Sequence, residues 1–354
     1  MKKSFVFTFL LFCVMMAVMV GSLSAQQEGR NKRIGTAAAT ELLIPVGARD
    51  LAMGGASMAV SQGVDAIFWN PAGLARQTNA AEGTLTTMSY IADIRVNYGA
   101  VGIVFSGFGT VGLSVKTMDF GEIPLTTNDD PENLSGRTYS PTLLNVGLSF
   151  SRAFTDAITA GATFKVVSEK LGRVSGSGFA LDLGVQYHNI GGLKGLHMGV
   201  ALKNIGPQVS FDGSGLLRTA TSRDGRRSEQ FYSSKAASFE LPSSVELGLA
   251  YSRNINESLS WTVNGTFANN NLSLDGYRGG AELGYKAGSI GFAARGGIEL
   301  SPTESGVDEQ IFGPTAGFGF IYKTTGIDIG IDYAFRAVND FFDNNNMFSL
   351  RLGF

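Results

Sequence analysis

Apolar side chains recur at every second position through most of this chain, which is the spacing of a β-strand with two different faces. In the segment 144–150, Leu, Val, Leu and Phe alternate with Asn, Gly and Ser. In the segment 327–336, Ile and aromatic residues alternate with Asp, Gly, Ala and Arg. The pattern predicts strands that are apolar on one face and polar or small on the other.

These strands run for about 9 to 13 residues, whereas strands of soluble sandwiches average about 5 or 6. Beyond Val20, no apolar run is long enough for a membrane-spanning helix. A sealed apolar core would have to desolvate the ionisable side chains of the polar faces at a large cost. These include Glu246, Glu282, Arg295, Glu299 and Arg351. The predicted fold class is therefore all-β, a transmembrane antiparallel β-barrel of about fourteen strands with a hydrated lumen.

The connections between the predicted strands are unequal in length. Turns after even-numbered strands are short, such as 106–108 and 324–325, whereas the longest connections, 120–141 and 206–242, follow odd-numbered strands. This asymmetry and an even strand count predict an outer-membrane barrel of a Gram-negative-type bacterium with both termini in the periplasm. The predicted strands are 82–90, 94–105, 109–119, 142–152, 157–169, 178–189, 195–205, 243–253, 258–269, 275–286, 289–300, 313–323, 326–336 and 346–354.

The first 25 residues have the pattern of a cleaved export signal. Lys2 and Lys3 precede an apolar run, and small residues follow it up to Ala25, after which we expect cleavage. The single cysteine, Cys13, lies inside this signal. The mature chain is therefore expected to have no thiol for a disulfide, a zinc site or a nucleophile.

Composition excludes one large class of partners. Charged residues make up only 16% of the chain, the formal net charge is -2 and the pI is about 5.8. Nucleic acid is attracted by clustered Lys and Arg, so we do not expect it as a partner.

Residues 26–81 do not alternate, and they are too long for a simple leader to the first strand. The segment is predicted to be a separate N-terminal hatch or plug that precedes the barrel of residues 82–354. Within it, Asn70-Pro71 followed by Gly73 marks a tight turn, because proline fixes its own φ and restricts the residue before it.

Three short motifs in this segment resemble the N-terminal signature of the PorV/PorQ family, a branch of the FadL-like outer-membrane barrels. They are Gly47-Ala48-Arg49, the segment 52–56 and the segment 68–74. The resemblance implies a hatch that folds into the lumen, with motif residues that position the hatch and carry no chemistry. These residues are Arg49, Met53, Gly54, Gly55, Trp69, Asn70, Pro71, Ala72 and Gly73.

The same resemblance implies a non-enzymatic role in type IX-like protein secretion or surface assembly, with secretion-system proteins and cargo as partners. The alternative is FadL-like passive transport of hydrophobic small molecules, which in that family bind in the hatch and leave sideways through the wall. Both functions place the barrel among outer-membrane lipid and lipopolysaccharide, and neither requires a cofactor. The terminal aromatic residue Phe354 resembles the signal read by barrel-assembly machinery.

An outer-membrane lipid hydrolase is the third interpretation. His188 and His197 lie on the predicted lumen faces of adjacent strands near the periplasmic rim, where such a pair could act as a base or bind a metal. No serine nucleophile is indicated beside them. We therefore expect polar lumen-filling residues here and no catalytic, cofactor or metal site.

Two loop clusters offer further chemistry. Acidic and amide side chains in 128–133 and 340–345 are oxygen ligands of the kind that calcium takes, but they lack EF-hand spacing. The arginines of a basic loop could contact lipopolysaccharide phosphates. They are Arg218, Arg223, Arg226 and Arg227. Solvated surface loops are the simpler interpretation of both clusters.

Overall fold

The computed structural model describes residues 35–220, 230–301, 310–339 and 342–354. The predicted export signal, Arg223, Arg226, Arg227 and Asp340 lie outside the described residues.

Fourteen antiparallel strands of the described residues form one closed sheet, in which each strand pairs with its neighbours in sequence and the first strand pairs with the last. The predicted fold class is confirmed. Closure matters because hydrocarbon cannot satisfy the free backbone groups of a sheet edge. The strands are β1 (Ala81–Ser89), β2 (Arg95–Phe105), β3 (Gly109–Asp119), β4 (Thr142–Ala153), β5 (Ile158–Leu171), β6 (Val174–His188), β7 (Leu196–Ile205), β8 (Ser244–Asn254), β9 (Leu259–Asn270), β10 (Gly276–Ala287), β11 (Ile290–Leu300), β12 (Phe312–Lys323), β13 (Asp328–Val338) and β14 (Asn345–Gly353).

The two faces of the wall differ as the alternation predicts. Large apolar side chains such as Leu85, Leu148 and Phe318 are exposed on the outside. Ionisable side chains such as Glu246 and Arg295 are buried in the lumen. The barrel therefore presents an apolar belt outward, as a bilayer requires.

Observed strand boundaries differ from the predicted ones by at most two residues, except at the start of β6, which is Val174 and not residue 178. Here β5 and β6 continue into a tight turn at Gly172 and Arg173, and Gly172 has a φ of 61°. A left-handed glycine permits this turn at low cost. The connection after an odd-numbered strand is thus short at this place.

The two ends of the barrel can be distinguished by their connections. Ala81 and Phe354 exchange backbone hydrogen bonds of 2.8 and 3.2 Å at the end that carries the turn 106–108, here called the short-turn end. The opposite, long-loop end carries small accessory strands that the alternation did not predict. They are Ile123–Pro124, Thr138–Tyr139, Val209–Asp212, Leu217–Ala220, Gln230–Ser233 and Ser238–Phe239.

Residues 35–80, here called the hatch, lie inside the barrel and pack against its wall. The hatch contains only short helical turns of three to six residues. Among the described residues no helix is long and apolar enough to span a bilayer. Its apolar residues form a core with the inner faces of β1 and β2. The turns are Thr40–Leu43, α1 (Ala48–Leu51), Gly63–Asp65, α2 (Ala66–Trp69) and Pro71–Arg76, of which the unlabelled ones are 3-10 helices.

Candidate functional site: the hatch and its cavities

The Asn-Pro-Ala turn fastens the hatch to the wall. Asn70 is fully buried, and its Oδ1 accepts a hydrogen bond from the Ala72 backbone N–H at 3.1 Å, which caps the turn that Pro71 begins. Its Nδ2 donates to the carbonyls of Val185 and Val200, at 3.2 and 3.4 Å. The single amide therefore ties the hatch to both β6 and β7.

Two glycines in the motif 52–56 let the hatch backbone approach β11 and β12, away from the strands that Asn70 contacts. Gly54 and Gly55 have φ values of 66° and 71°. A Cβ at Gly54 would lie 2.8 Å from the Ile298 backbone nitrogen, and one at Gly55 would lie 2.8 Å from the Trp69 ring. The Gly54 N–H donates to Thr315 Oγ1 at 3.0 Å, so the close approach forms a bond to β12.

Trp69 and Met53 hold this arrangement from within. Trp69 Nε1 donates to the Val46 carbonyl at 3.0 Å. This hydrogen bond links the motif 68–74 to the residue that precedes the motif 47–49. Met53 is fully buried, and its thioether sulfur lies 3.4 Å from Asn264 Nδ2. These contacts fit a positioning role for the motif residues.

Arg49 joins the hatch to a chain of ion pairs on the inner wall. Its guanidinium donates to both oxygens of Glu282, at 3.2 and 3.3 Å. Glu282 also pairs with Arg295 at 2.6 Å, and Arg295 pairs with Asp332 at 2.6 Å. These lumen side chains form ion pairs with one another. The sequence predicted that water would solvate them, but the hatch occupies that part of the lumen.

Two hatch carboxylates that the motifs did not indicate add to this network, one by binding the wall and the other within the hatch. Asp65 pairs with Arg351 of β14 at 2.7 Å. Asp50 is fully buried, accepts hydrogen bonds from the hydroxyls of Ser57 and Ser61, and lies next to Arg49 in the chain. Burial raises the pKa of Asp50 to about 6, and the Arg49 charge opposes this rise.

His188 and His197 face each other near the short-turn end, with 3.0 Å between their Nδ1 atoms. His188 Nε2 lies 3.3 Å from Gln186 Oε1, and Gln186 Nε2 donates to the hatch carbonyls of Met58 and Ser61, each at 2.9 Å. The pair thus belongs to a polar network that contacts the hatch. Across the described residues, no group of three or more His, Cys, Asp or Glu side chains could hold a metal ion.

A cavity of about 630 Å³, here called the vestibule, lies at the long-loop end above the hatch. The hatch residues Leu43, Ile44, Pro45 and Leu51 form its apolar floor. Aromatic rings and a few charged groups line its sides, and the Arg336 guanidinium lies 3.7 Å from the centre of the Phe312 ring. These side residues include Trp69, Tyr90, Phe120, Phe312, Arg278, Glu299 and Arg336.

Two other cavities have contrasting chemistry. The one at the short-turn end, of about 350 Å³, combines charged residues such as Arg49 and Glu82 with apolar ones such as Phe292 and Ile321; Arg76 also lines it. The second is a hollow of about 550 Å³ on the outer wall, centred on Gly99 of β2 and bordered by apolar residues of β1, β3 and β14. Leu85, Val115, Phe348 and Leu350 supply this border. Neither was predicted, because both depend on which strands become neighbours.

The chain has the same fold as solved structures of hydrocarbon channels and transporters. It is similar to the structure of the CymD monoaromatic hydrocarbon channel (TM-score 0.57, 14% identity, 88% of this chain and 98% of that chain). The toluene transporters TodX of Pseudomonas putida and TbuX of Ralstonia pickettii give TM-scores of 0.56 and 0.54. Both are 14% identical to this chain, over 87% and 88% of its length and 97% and 98% of theirs. No protein-family model matches the chain, and no curated protein sequence matches it significantly.

These structural neighbours are channels and transporters, not enzymes. Their printed names describe hydrocarbon and toluene transport by those proteins. At this level of identity the likeness shows the fold, so the substrate has to be argued from the cavities.

Proposed function

We propose that this protein is a non-enzymatic channel for passive uptake of hydrophobic small molecules across the outer membrane. The vestibule carries the proposal, because its floor of Leu43, Ile44, Pro45 and Leu51 offers an apolar solute a surface that water does not. The long-loop end then faces the cell exterior, where the solute enters. The neighbouring structures, whose names describe hydrocarbon channels and toluene transporters, support this class of solute.

The exit follows from the contrast between the other two cavities. A solute that left through the cavity at the short-turn end would have to dehydrate the charged groups of Arg49, Arg76 and Glu82, which costs free energy. The hollow around Gly99 opens on the apolar outer wall. In our proposal the solute therefore leaves sideways into the bilayer beside β2, as the FadL resemblance implies.

The proposal fixes the orientation and the general partners. The short-turn end, with both ends of the barrel sheet, faces the periplasm, and the apolar belt contacts outer-membrane lipid and lipopolysaccharide. Phe354 is 58% exposed at this end, where barrel-assembly machinery can reach it. A role in secretion rests on the hatch-motif resemblance alone.

Uptake of a labelled monoaromatic hydrocarbon by cells that lack other such channels tests the proposal. Leu43 is 39% exposed on the vestibule floor, so Leu43→Asp adds a charge to the apolar surface without emptying the core. Leu134→Asp is the matched control, because Leu134 is 85% exposed in the loop 120–141. We expect the parent and Leu134→Asp to raise uptake above the empty vector and Leu43→Asp to lose most of that increase.

Two results would overturn this conclusion. One is uptake by the parent that equals the empty vector while the folded barrel is present in the membrane. The other is a deletion strain that takes up hydrocarbon normally but loses its surface-anchored secreted proteins, which would support the secretion function instead.

A further inference from the structure

Two buried carboxyl groups meet where the first turn of the hatch contacts the wall. Glu41 belongs to the turn Thr40–Leu43 and is 1% exposed, and Glu169 of β5 is 8% exposed. The Ala39 N–H donates to Glu169 Oε1 at 3.3 Å, which brings the backbone beside Glu41 to the same carboxyl group. Glu41 follows Ala39 by two residues, so both carboxyl groups belong to this one buried contact.

The surrounding donors do not satisfy both groups. Asn145 of β4 donates its amide to Glu41 Oε1 at 3.2 Å. The Oε2 atoms of Glu41 and Glu169 have no hydrogen-bond donor among the described residues. Lys116 of β3 is a cation that acts on Glu41, but its ammonium donates to the Ile44 carbonyl at 2.8 Å and lies 4.9 Å from the centre of the Phe68 ring. Two ionised carboxylates would therefore repel each other at this buried contact.

We propose that Glu41 and Glu169 share one proton, and that this proton latches the first turn of the hatch to β5. A proton on either group turns an acceptor into a donor, so one carboxyl group can donate to the other. Loss of the proton leaves two adjacent negative charges, and the turn is released.

The latch controls a partition between two cavities. Glu41 and Leu43 line the vestibule, whereas Leu42 lines a small cavity of about 40 Å³ beneath it, together with Phe68 and Tyr98. The one turn that carries Glu41 is the wall between them. Its release would join the two cavities and deepen the vestibule toward β2, which carries Tyr98.

The sign of the pH dependence follows from the carboxyl environment. Burial first, and the Glu169 charge second, raise the pKa of Glu41 from 4.5 to about 7, against the opposing effects of Lys116 and Asn145. A pKa that is higher in the docked turn means that docking is strongest below about pH 4.5. The equilibrium constant for docking then falls about tenfold for each pH unit up to about pH 7. Above that pH, Glu41 is ionised in both the docked and the released turn, and the constant no longer changes. This inference concerns the conformation of the hatch, so it is independent of the solute proposed above.

Thiol labelling tests the latch, because the only cysteine, Cys13, lies in the predicted signal segment. Leu42→Cys places a thiol at a buried position of the turn, and Thr40→Cys places one at an exposed position of the same turn. The ratio of their maleimide labelling rates removes the intrinsic pH dependence of thiol reactivity. We expect this ratio to rise at least tenfold between about pH 5 and about pH 8 in the otherwise unchanged chain.

Glu41→Gln and Glu169→Gln should each keep the ratio low and independent of pH, because an amide can donate to the remaining carboxyl at every pH. Either variant suffices if the other fails to assemble. Glu122→Gln, at an exposed loop carboxyl, should retain the full rise. A flat ratio in the parent overturns the latch, and so does an equal rise in an assembled Glu41→Gln or Glu169→Gln barrel.

Discussion

Replacement of Asn70 by alanine should loosen the hatch by a calculable amount. The change removes the cap on the Ala72 N–H and the two hydrogen bonds to Val185 and Val200. A lost cap costs about 1 kcal/mol and each lost hydrogen bond about 1 kcal/mol. The free energy that holds the turn should fall by about 3 kcal/mol, which raises the population of the opened turn roughly a hundredfold.

Limited trypsin cleavage after Arg76 measures that population, because Arg76 ends the turn and cleavage requires local opening. We expect cleavage roughly a hundredfold faster in Asn70→Ala and unchanged in Asn256→Ala, which removes an exposed asparagine cap from the turn between β8 and β9. The barrel itself should keep its heat-modifiable migration on gels in both variants.

The isosteric change Asn70→Asp separates the two roles of this side chain. Aspartate caps the turn as well as asparagine does, but it places a second oxygen against the carbonyls of Val185 and Val200. If the attachment to the wall dominates, Asn70→Asp is cleaved faster than Asn70→Ala. Cleavage of the aspartate variant at the parent rate would refute the reasoning, because the cap alone would then account for the motif.

Three other predictions concern the hatch charges, the histidines and the last residue. Asp65→Asn removes the ion pair with Arg351 and should speed tryptic cleavage after Arg49 about tenfold. The loss of a buried ion pair can have a larger effect than this. We expect the smaller effect because Arg351 keeps two other carboxylates within 4.0 Å. Purified protein should cleave no phospholipid. His188→Gln should leave hydrocarbon uptake within about twofold of the parent. Phospholipid cleavage by the parent that disappears in His188→Gln would instead support a hydrolase. Phe354→Ala should lower the fraction of assembled barrel in outer-membrane preparations without changing its thermal stability, because the side chain is 58% exposed and its backbone pairing with Ala81 remains.

The barrel could be predicted from sequence because every strand separates two different environments. Leu148 faces outward and Ser149 faces inward, and this contrast imposes a period of two that is legible in the chain itself. The hatch meets protein on all sides, so no such period marks its turns. The tight turn at Gly172 was missed for a different reason. The segment 170–177 is rich in Gly, Ser and basic residues and resembles a loop, although 170–171 belong to β5 and 174–177 to β6.

The motif residues of the hatch could be found, whereas their partners could not. Glycine and proline mark Gly54, Gly55 and Pro71 in the sequence, because each fixes or frees a backbone angle. Their contacts on β6, β11 and β12 depend on how the closed barrel places strands that are distant in sequence around one segment. Glu41 and Glu169 are 128 positions apart, so each reads as an ordinary carboxylate until the fold brings them together.

The hatch is fastened unevenly, and this decides which part can move. Its centre is held by the ion pairs of Arg49 and Asp65, and its last turn by the amide of Asn70. None of these attachments requires a protonated carboxylic acid, so all of them persist at neutral and alkaline pH. The first turn is held by the packing of Leu42 against Val167 and Leu241 and by the contact of Glu41 with Glu169. Of these two, only the carboxyl contact titrates, because burial raises the pKa of Glu41 to about 7. A solute that enters the vestibule therefore meets its most easily released contact at the turn that closes the floor, while the rest of the hatch stays attached to the wall.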